Sequence, residues 1–443
     1  MKVDTKEGDR SNLNKVLYLG ICFMTMSTAI VSAQNLLSQL YSQLGFASLG
    51  KICLFVIFTM RGICSVINTH IMKRFSIKTG IVVGAFTQII TICGGTFIAF
   101  CDKYKVEGSI CSSASVVFVN LVCVTVGGIG ASFLWFSQST YVNACADAKN
   151  KGFYNGIFWS VFQTAQLWGS SLAAFTLGRA DAFTFYTILI TFGCCAVIMM
   201  SFIKLPENLQ NNNQRQEPQV PLRVAIKNFR NIFNDRRYYF LFMALFFSGT
   251  AIGSYINFLS AAVTEVVNSD DLFVTNQKTG YVFMAVAIGT ITSGLLTGRL
   301  ADRFDKIKVF TWTMITNELA VTFTILACLS QNYTLVLIGG LLFGLGDTSI
   351  QTMIATVIGF IFHGDQELFA VYRFLQAFGI VYAALLSILV PRNYPVVYYL
   401  MVAVSLATCH YFYKIYHQDF KRKSTALLSD QQRLDIELNN ISK

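Results

Sequence analysis

Charge is scarce in this sequence, and so is proline. Only 13% of the 443 residues are Asp, Glu, Lys or Arg and only five are proline, whereas a soluble domain carries about 25% charged residues. So few charges cannot clothe a water-exposed surface of this size, which excludes a soluble globular chain. The four histidines, His70, His363, His410 and His417, have no ligand spacing, and the twelve cysteines lack the paired spacings of zinc sites. No metal and no cofactor are therefore expected. A nucleophile with its base, a metal cluster and an acid pair at useful spacing are all missing, so an enzyme is not expected either. The +11 net charge finds its explanation in membrane topology, without a nucleic-acid partner.

What the chain has in abundance is apolar runs of about 20 residues, the length that crosses a bilayer. They fall at 16–41, 46–70, 77–100, 114–140, 153–177, 182–203, 238–263, 280–299, 307–329, 333–362, 367–391 and 394–414. The reading is an all-α polytopic membrane protein with about twelve spans, partnered by the lipid bilayer. Residues 1–15 form a polar start before an uncleaved first anchor, residues 16–203 a first six-helix half, and residues 238–414 a second. Residues 204–237 are the one long polar interruption, and 415–443 a polar tail expected to be disordered.

Lysine and arginine fix the expected orientation. Lys103, Lys105, Arg179, Lys278 and Arg392 fall on one side, and Lys51, Arg61 and Arg373 inside spans. The remaining 26 of the chain's 34 fall on the other. The positive-inside rule then places both termini in the cytoplasm. Within the interruption, residues 206–218 have almost nothing to bury and read as a flexible linker. Residues 222–237 alternate Arg223, Lys227 and Arg230 with Val224, Ile226, Phe229 and Phe233. They read either as an amphipathic helix on an anionic membrane face or as a basic linker without lipid contact. Cys101 and Cys111 bracket the longest outer loop and are candidates for a disulfide. The other cysteines sit mostly inside spans as small apolar packers.

Polar residues inside spans are the candidate site, since they cannot face lipid cheaply. Span one places Thr28, Ser32, Asn35 and Gln39 on one helix face. Span five places Asn155, Trp159, Gln163, Gln166 and Ser170 on another, and span seven Thr250, Ser254 and Asn257 on a third. Each stripe lines a cavity or bonds across helices. Arg61 in span two is an intramembrane cation, serving a site or a structural ion pair. Asp347 and Gln351 lie one turn apart in span ten. A carboxylate at that depth is held neutral, paired, or used for a proton or a metal cation. Arg373 is the nearest candidate partner, about two turns nearer the cytoplasm. Glu318 in span nine is expected at the periphery. Gly152 and Gly156, Gly294 and Gly298, and Gly340 and Gly344 have the spacing that lets helices approach closely.

The loop after span eight reads Gly298-Arg-Leu-Ala-Asp302-Arg303-Phe-Asp305-Lys306-Ile-Lys308. It resembles the signature loop of the major facilitator superfamily, a gating and packing element in which Gly298 permits close approach. Asp302 there caps a helix end and pairs with Arg303 or another cation, with Lys306 beyond. The matching loop after span two, Met72-Lys-Arg-Phe-Ser-Ile-Lys78, lacks the aspartate.

A narrower likeness is carried by Leu134-Trp135-x-x-Gln138-x-x-Tyr141, by Asn155-Gly156-Ile-Phe-Trp159 with Gln163 and Gly169, and by Phe343-Gly-Leu-Gly-Asp347-Thr with Gln351 and Gly359. These resemble the uncoordinated-93-like family, the ion channel regulatory branch of the superfamily. The resemblance implies twelve helices in two pseudo-symmetric halves around a central cavity walled by spans one, four, seven and ten. It also implies one of two functions. The first is transport of a small solute or ion, proton and potassium included, by rocking of the halves, or a part in potassium homeostasis. The second is a non-transporting partner that regulates or traffics a channel or receptor. In the first, Asp347 responds to a proton or cation, Arg61 and Arg373 shape the charge, and Gln138, Asn155, Gln163 and Gln351 contact solute. Asn35, Trp135, Tyr141, Trp159 and Asn257 complete the lining. The plasma membrane or an endosomal or vacuolar membrane is the expected location.

Overall fold

A computed structural model describes residues 2–46, 49–72, 75–105, 108–147, 150–177, 181–206, 221–269, 272–362, 366–391 and 393–441. The described chain is helical. In order come α1 (Lys2–Gln43), α2 (Leu49–Ser65), the short α3 (Asn68–Met72), α4 (Ile77–Tyr104), α5 (Ser113–Cys145), α6 (Lys151–Leu177) and α7 (Ala182–Ser201). After the interruption come α8 (Leu222–Asn234), α9 (Tyr239–Val267), α10 (Leu272–Arg303), α11 (Lys306–Ser330), α12 (Tyr333–Ile361), α13 (Gln366–Leu389) and α14 (Pro395–Ile441). Side chains close the first turn of several helices. Ser76, Ser112, Asp181, Asp305 and Asn332 each accept from backbone N–H groups two or three residues on, satisfying donors that the helix itself cannot.

Among the described residues, ten helices are long and apolar enough to cross a membrane. The two others the sequence placed across it depart for physical reasons. α2 stops after 17 residues, where the chain turns at Val66 and Ile67 before α3. Asn68 pins this break to α5, its Nδ2 donating to Ser132 O at 2.9 Å while Ser132 Oγ donates to Asn68 Oδ1 at 3.1 Å. α6 carries the polar stripe, which dilutes its hydropathy. At the carboxyl end, α14 runs on as a helix to Ile441 where a disordered tail was expected. Residues 424–435 (Ser-Thr-Ala-Leu-Leu-Ser-Asp-Gln-Gln-Arg-Leu-Asp) are free of glycine and proline and contain several good helix formers.

The same packing scheme recurs in both halves. In the first, α1 packs on α6 and α7, α4 on α5 and α7, and α2 on α5. In the second, α9 packs on α13 and α14, α11 on α12 and α14, and α10 on α12. The halves meet along α6 with α10 and α2 with α13. The Cys101–Cys111 disulfide joins the end of α4 to the start of α5. There Lys103 Nζ lies 2.8 Å from Asp181 Oδ2. The hydrogen bonds from Lys103 and Thr184 hold the Asp181 carboxyl below the usual carboxylate range.

α8 is docked on the second half. Phe229 packs edge-on against Phe374 at 5.6 Å and Phe233 stacks on Phe242 at 4.9 Å, while Asn228 Nδ2 donates to Glu367 Oε1 at 2.9 Å. Its other side, with Leu222, Val224 and Ile226, is exposed.

Candidate functional site

Small residues let the halves touch. An added Cβ at Gly152 would stand 2.7 Å from Gly298 O, and one at Gly298 would stand 2.6 Å from Gly152 O, while Gly156 meets Gly294 one turn further on. The two GxxxG pairs of α6 and α10 therefore pack on each other, backbone against backbone. Asp302 closes this crossing. Its Oδ1 accepts from Gly152 N–H at 3.0 Å and its Oδ2 from Phe153 N–H at 2.8 Å, so it caps α6 of the other half, favourably placed at the positive end of that helix. At the neighbouring crossing Lys151 Nζ donates to Gly359 O at 2.7 Å, a cation on the carboxyl end of α12. Lys306 lies over the Phe360 ring at 4.0 Å. Arg303 is exposed.

Deeper in, Asp347 stands at the centre of a polar cluster built from both halves. Its Oδ2 accepts from Tyr255 Oη of α9 at 2.7 Å, with Gln163 Nε2 of α6 at 3.5 Å, and its Oδ1 accepts from Gln351 Nε2 at 2.7 Å. The carboxylate is 3% exposed and closed in by these partners. Gln376 Nε2 of α13 reaches Gln351 Oε1 at 3.5 Å, and Gln376 Oε1 accepts from Arg373 Nη1 at 3.1 Å. Arg373 Nη2 then crosses to α5, donating to Gln138 Oε1 at 3.2 Å and Ser139 Oγ at 2.8 Å. One chain of hydrogen bonds thus runs from Asp347 to the first half. The Asp347 carboxylate and the Arg373 guanidinium are not in contact, because two glutamines stand between them.

Aromatic rings flank this chain. Trp135 and Trp159 stack at 5.6 Å with their planes 9° apart. Arg373 lies over Trp135 at 5.2 Å and over Tyr372 at 4.3 Å, and Arg61 lies over Trp135 at 5.3 Å. A desolvated cation over an indole face gains about 2 kcal/mol.

Of the sequence candidates, Arg61, Trp135, Gln138, Trp159, Gln163, Asp347, Gln351 and Arg373 are brought together. Tyr141 is elsewhere, its hydroxyl donating to Lys204 O at 2.6 Å within the first half. Asn257 is spent on its own helix, donating to Gly253 O at 2.7 Å. Asn155 is fully buried near the α6 start, its Nδ2 donating to Lys151 O at 2.9 Å and its Oδ1 without a partner. The side chains of Asn35, Gln39 and Ser170 lie outside the described residues. Sequence reasoning missed Tyr255, Tyr372, Gln376 and Ser139. Gln376 was within reach of it, lying three residues beyond Arg373 on the same face. Tyr255 was not, because it falls off the Thr250–Ser254–Asn257 stripe.

Glu318, expected at the periphery, pairs with His410 of α14 at 2.8 Å. A separate apolar cavity inside the first half is lined by Ile30, Leu54, Ile57, Thr91 and Tyr186 among others, none of them in the cluster.

The family model described as Major Facilitator Superfamily matches residues 16–384 and 241–433. The chain is similar to protein unc-93 homolog A of Homo sapiens, 22% identical over 424 residues, covering 85% of this chain and 87% of that protein. It is similar to unc-93 homolog A of Mus musculus at 25% identity, covering 84% and 86%. Its fold resembles the crystal structure of a bacterial homologue of the iron transporter ferroportin in an outward-facing state, with a TM-score of 0.67, 12% identity, and 92% and 99% of the two chains covered.

Proposed function

The chain belongs to the major facilitator superfamily, and on that premise we propose that it moves a small solute across its membrane by alternating exposure of the cluster around Asp347. The carrying observation is that this carboxylate takes hydrogen bonds from both halves, from Gln163 on one side and from Tyr255 and Gln351 on the other. A rocking motion that separates the halves must break the contact with Gln163. The charge of Asp347 is thereby coupled to the conformation. Its oxygens face amide and hydroxyl donors, an arrangement that favours a proton over potassium as the ion it answers to, since a metal cation needs oxygen lone pairs around it.

The cross-half contacts from Gly152 to Gln163 all lie between the middle of the bundle and the face carrying the termini. This supports a state closed on that face, which the excess of lysine and arginine makes cytoplasmic. The test is proton flux in liposomes holding the purified protein, read with an internal pH dye while candidate solutes and a potassium analogue are added. Wild type should move protons with its solute and Asp347→Asn should not. Equal flux in the two would sink the role given to Asp347.

A second reading, a non-transporting partner of a channel or receptor, is favoured by one observation. The loop after α3 has no carboxylate to mirror Asp302, so the cap that closes the halves is one-sided. Folded protein that moves none of the solutes tried, yet co-purifies with one channel or receptor, would support it.

A further inference from the structure

Two guanidinium groups share one indole ring. The Cζ of Arg61 lies 5.3 Å from the Trp135 centroid and that of Arg373 lies 5.2 Å from it. They come from opposite halves, on helices α2 and α13 that pack where Gly62 meets Ala377. Arg373 spends both terminal nitrogens on Gln376, Gln138 and Ser139, and its Nε is buried without a partner. Arg61 makes no hydrogen bond among the described residues. Its Nε is buried as well, and the group rests on the ring alone.

Lys103 pairs with Asp181 and Arg237 with Asp235, and His410 is bonded to Glu318, but neither arginine has a carboxylate partner among the described residues. Of the carboxylates on neighbouring helices, Glu367 is bonded to Asn228 at the start of α13. Asp347 connects to Arg373 only through Gln351 and Gln376. Two cations therefore face one carboxylate at a depth where uncompensated charge is expensive, and one cation has all its donors unspent. A guanidinium fork matches the two oxygens of a carboxylate.

The geometry points to a binding site for a small organic monoanion, a carboxylate carrying an apolar or aromatic body. The carboxylate takes the free fork of Arg61 with Arg373 behind it, and the body lies along the Trp135 and Trp159 rings. One such ligand balances the cluster while Asp347 stays ionised. This names the solute class of the transport reading and rests on that reading for its use, although binding itself needs no transport.

The full-length protein, purified in detergent, is titrated with benzoate, hexanoate, benzyl alcohol, benzylammonium and inorganic phosphate. Tryptophan fluorescence and the thermal unfolding midpoint are followed. Benzoate and hexanoate should give saturable changes that benzyl alcohol and benzylammonium do not. Arg61→Gln should weaken benzoate at least 10-fold, and Arg61→Lys should recover part of the loss. No saturable response to either carboxylate in the wild type, a preference for phosphate, or unchanged benzoate affinity in folded Arg61→Gln overturns the proposal. The wild-type comparison stands even where Arg61→Gln fails to fold. Carboxylate binding without flux removes the transport reading and leaves this one. Proton-coupled flux of a solute without carboxylate binding does the reverse.

Discussion

At the scale of single residues, the carboxyl group of Asp347 is held by donation from neutral groups, Tyr255, Gln163 and Gln351. Among the described residues, Gln351 supplies the only hydrogen bond to Asp347 Oδ1. Gln351→Leu should therefore cost about 1–3 kcal/mol, the usual penalty for stranding a buried acceptor, read as a lower unfolding midpoint in detergent. Gln163→Leu removes the contact between Asp347 and the first half, and Asn155→Leu removes a buried amide near the α6 start. Both should reduce transport or ligand response more than Glu318→Gln, whose carboxylate pairs with His410 between α11 and α14. Equal tolerance of all three in one flux or binding assay would deny the cluster its role. The residues that could be read from sequence here were those on spans rich in polar spacing, Gln163, Asp347 and Gln351. Gln376 could have joined them through its spacing from Arg373, but Tyr255 could not, because a tyrosine beside apolar neighbours looks the same whether it faces lipid, a neighbour or a site.

At the scale of elements, the crossing of α6 with α10 is the tightest join between the halves. Two glycines on each side bring backbones into contact, so Gly298→Leu has nowhere to put its side chain. Overpacking of this kind costs about 1–3 kcal/mol, and the variant should unfold at lower temperature or expose this face. Asp302→Ala removes the cap from two N–H groups of α6, a loss of about 0.5–2 kcal/mol. It should raise the reactivity of a cysteine placed at Gly359 toward a maleimide added from the face carrying the termini. Unchanged reactivity would mean that Asp302 does not hold the halves together. Sequence marked both glycine pairs and the aspartate, yet could not say that they meet. Their partners are some 140–150 residues away in the chain.

At the scale of the whole molecule, the surplus of lysine and arginine on the face of the termini predicts a definite orientation. A reductant that does not cross membranes, applied outside intact cells, should open the Cys101–Cys111 bond and make both thiols reactive to an impermeant maleimide. A protease applied to the same cells should leave the carboxyl-terminal helix intact. Cleavage of that helix would reverse the orientation.

The apolar periodicity by itself determined that the chain is a membrane protein with about twelve crossings, and its loop and span motifs carried the likeness to the superfamily. Local composition suffices for that, because hydropathy over about 20 residues is decided by neighbours in the chain. Tertiary structure decided which polar residues meet. It joined Asp347 to Arg373 through two glutamines, drew Tyr141 and Asn257 away from the cluster, docked α8 on the second half, and set two arginines on one tryptophan. Those outcomes depend on helix rotation and on packing across the two halves, where a shift of one residue turns a side chain about 100° around its helix. No local pattern encodes that angle.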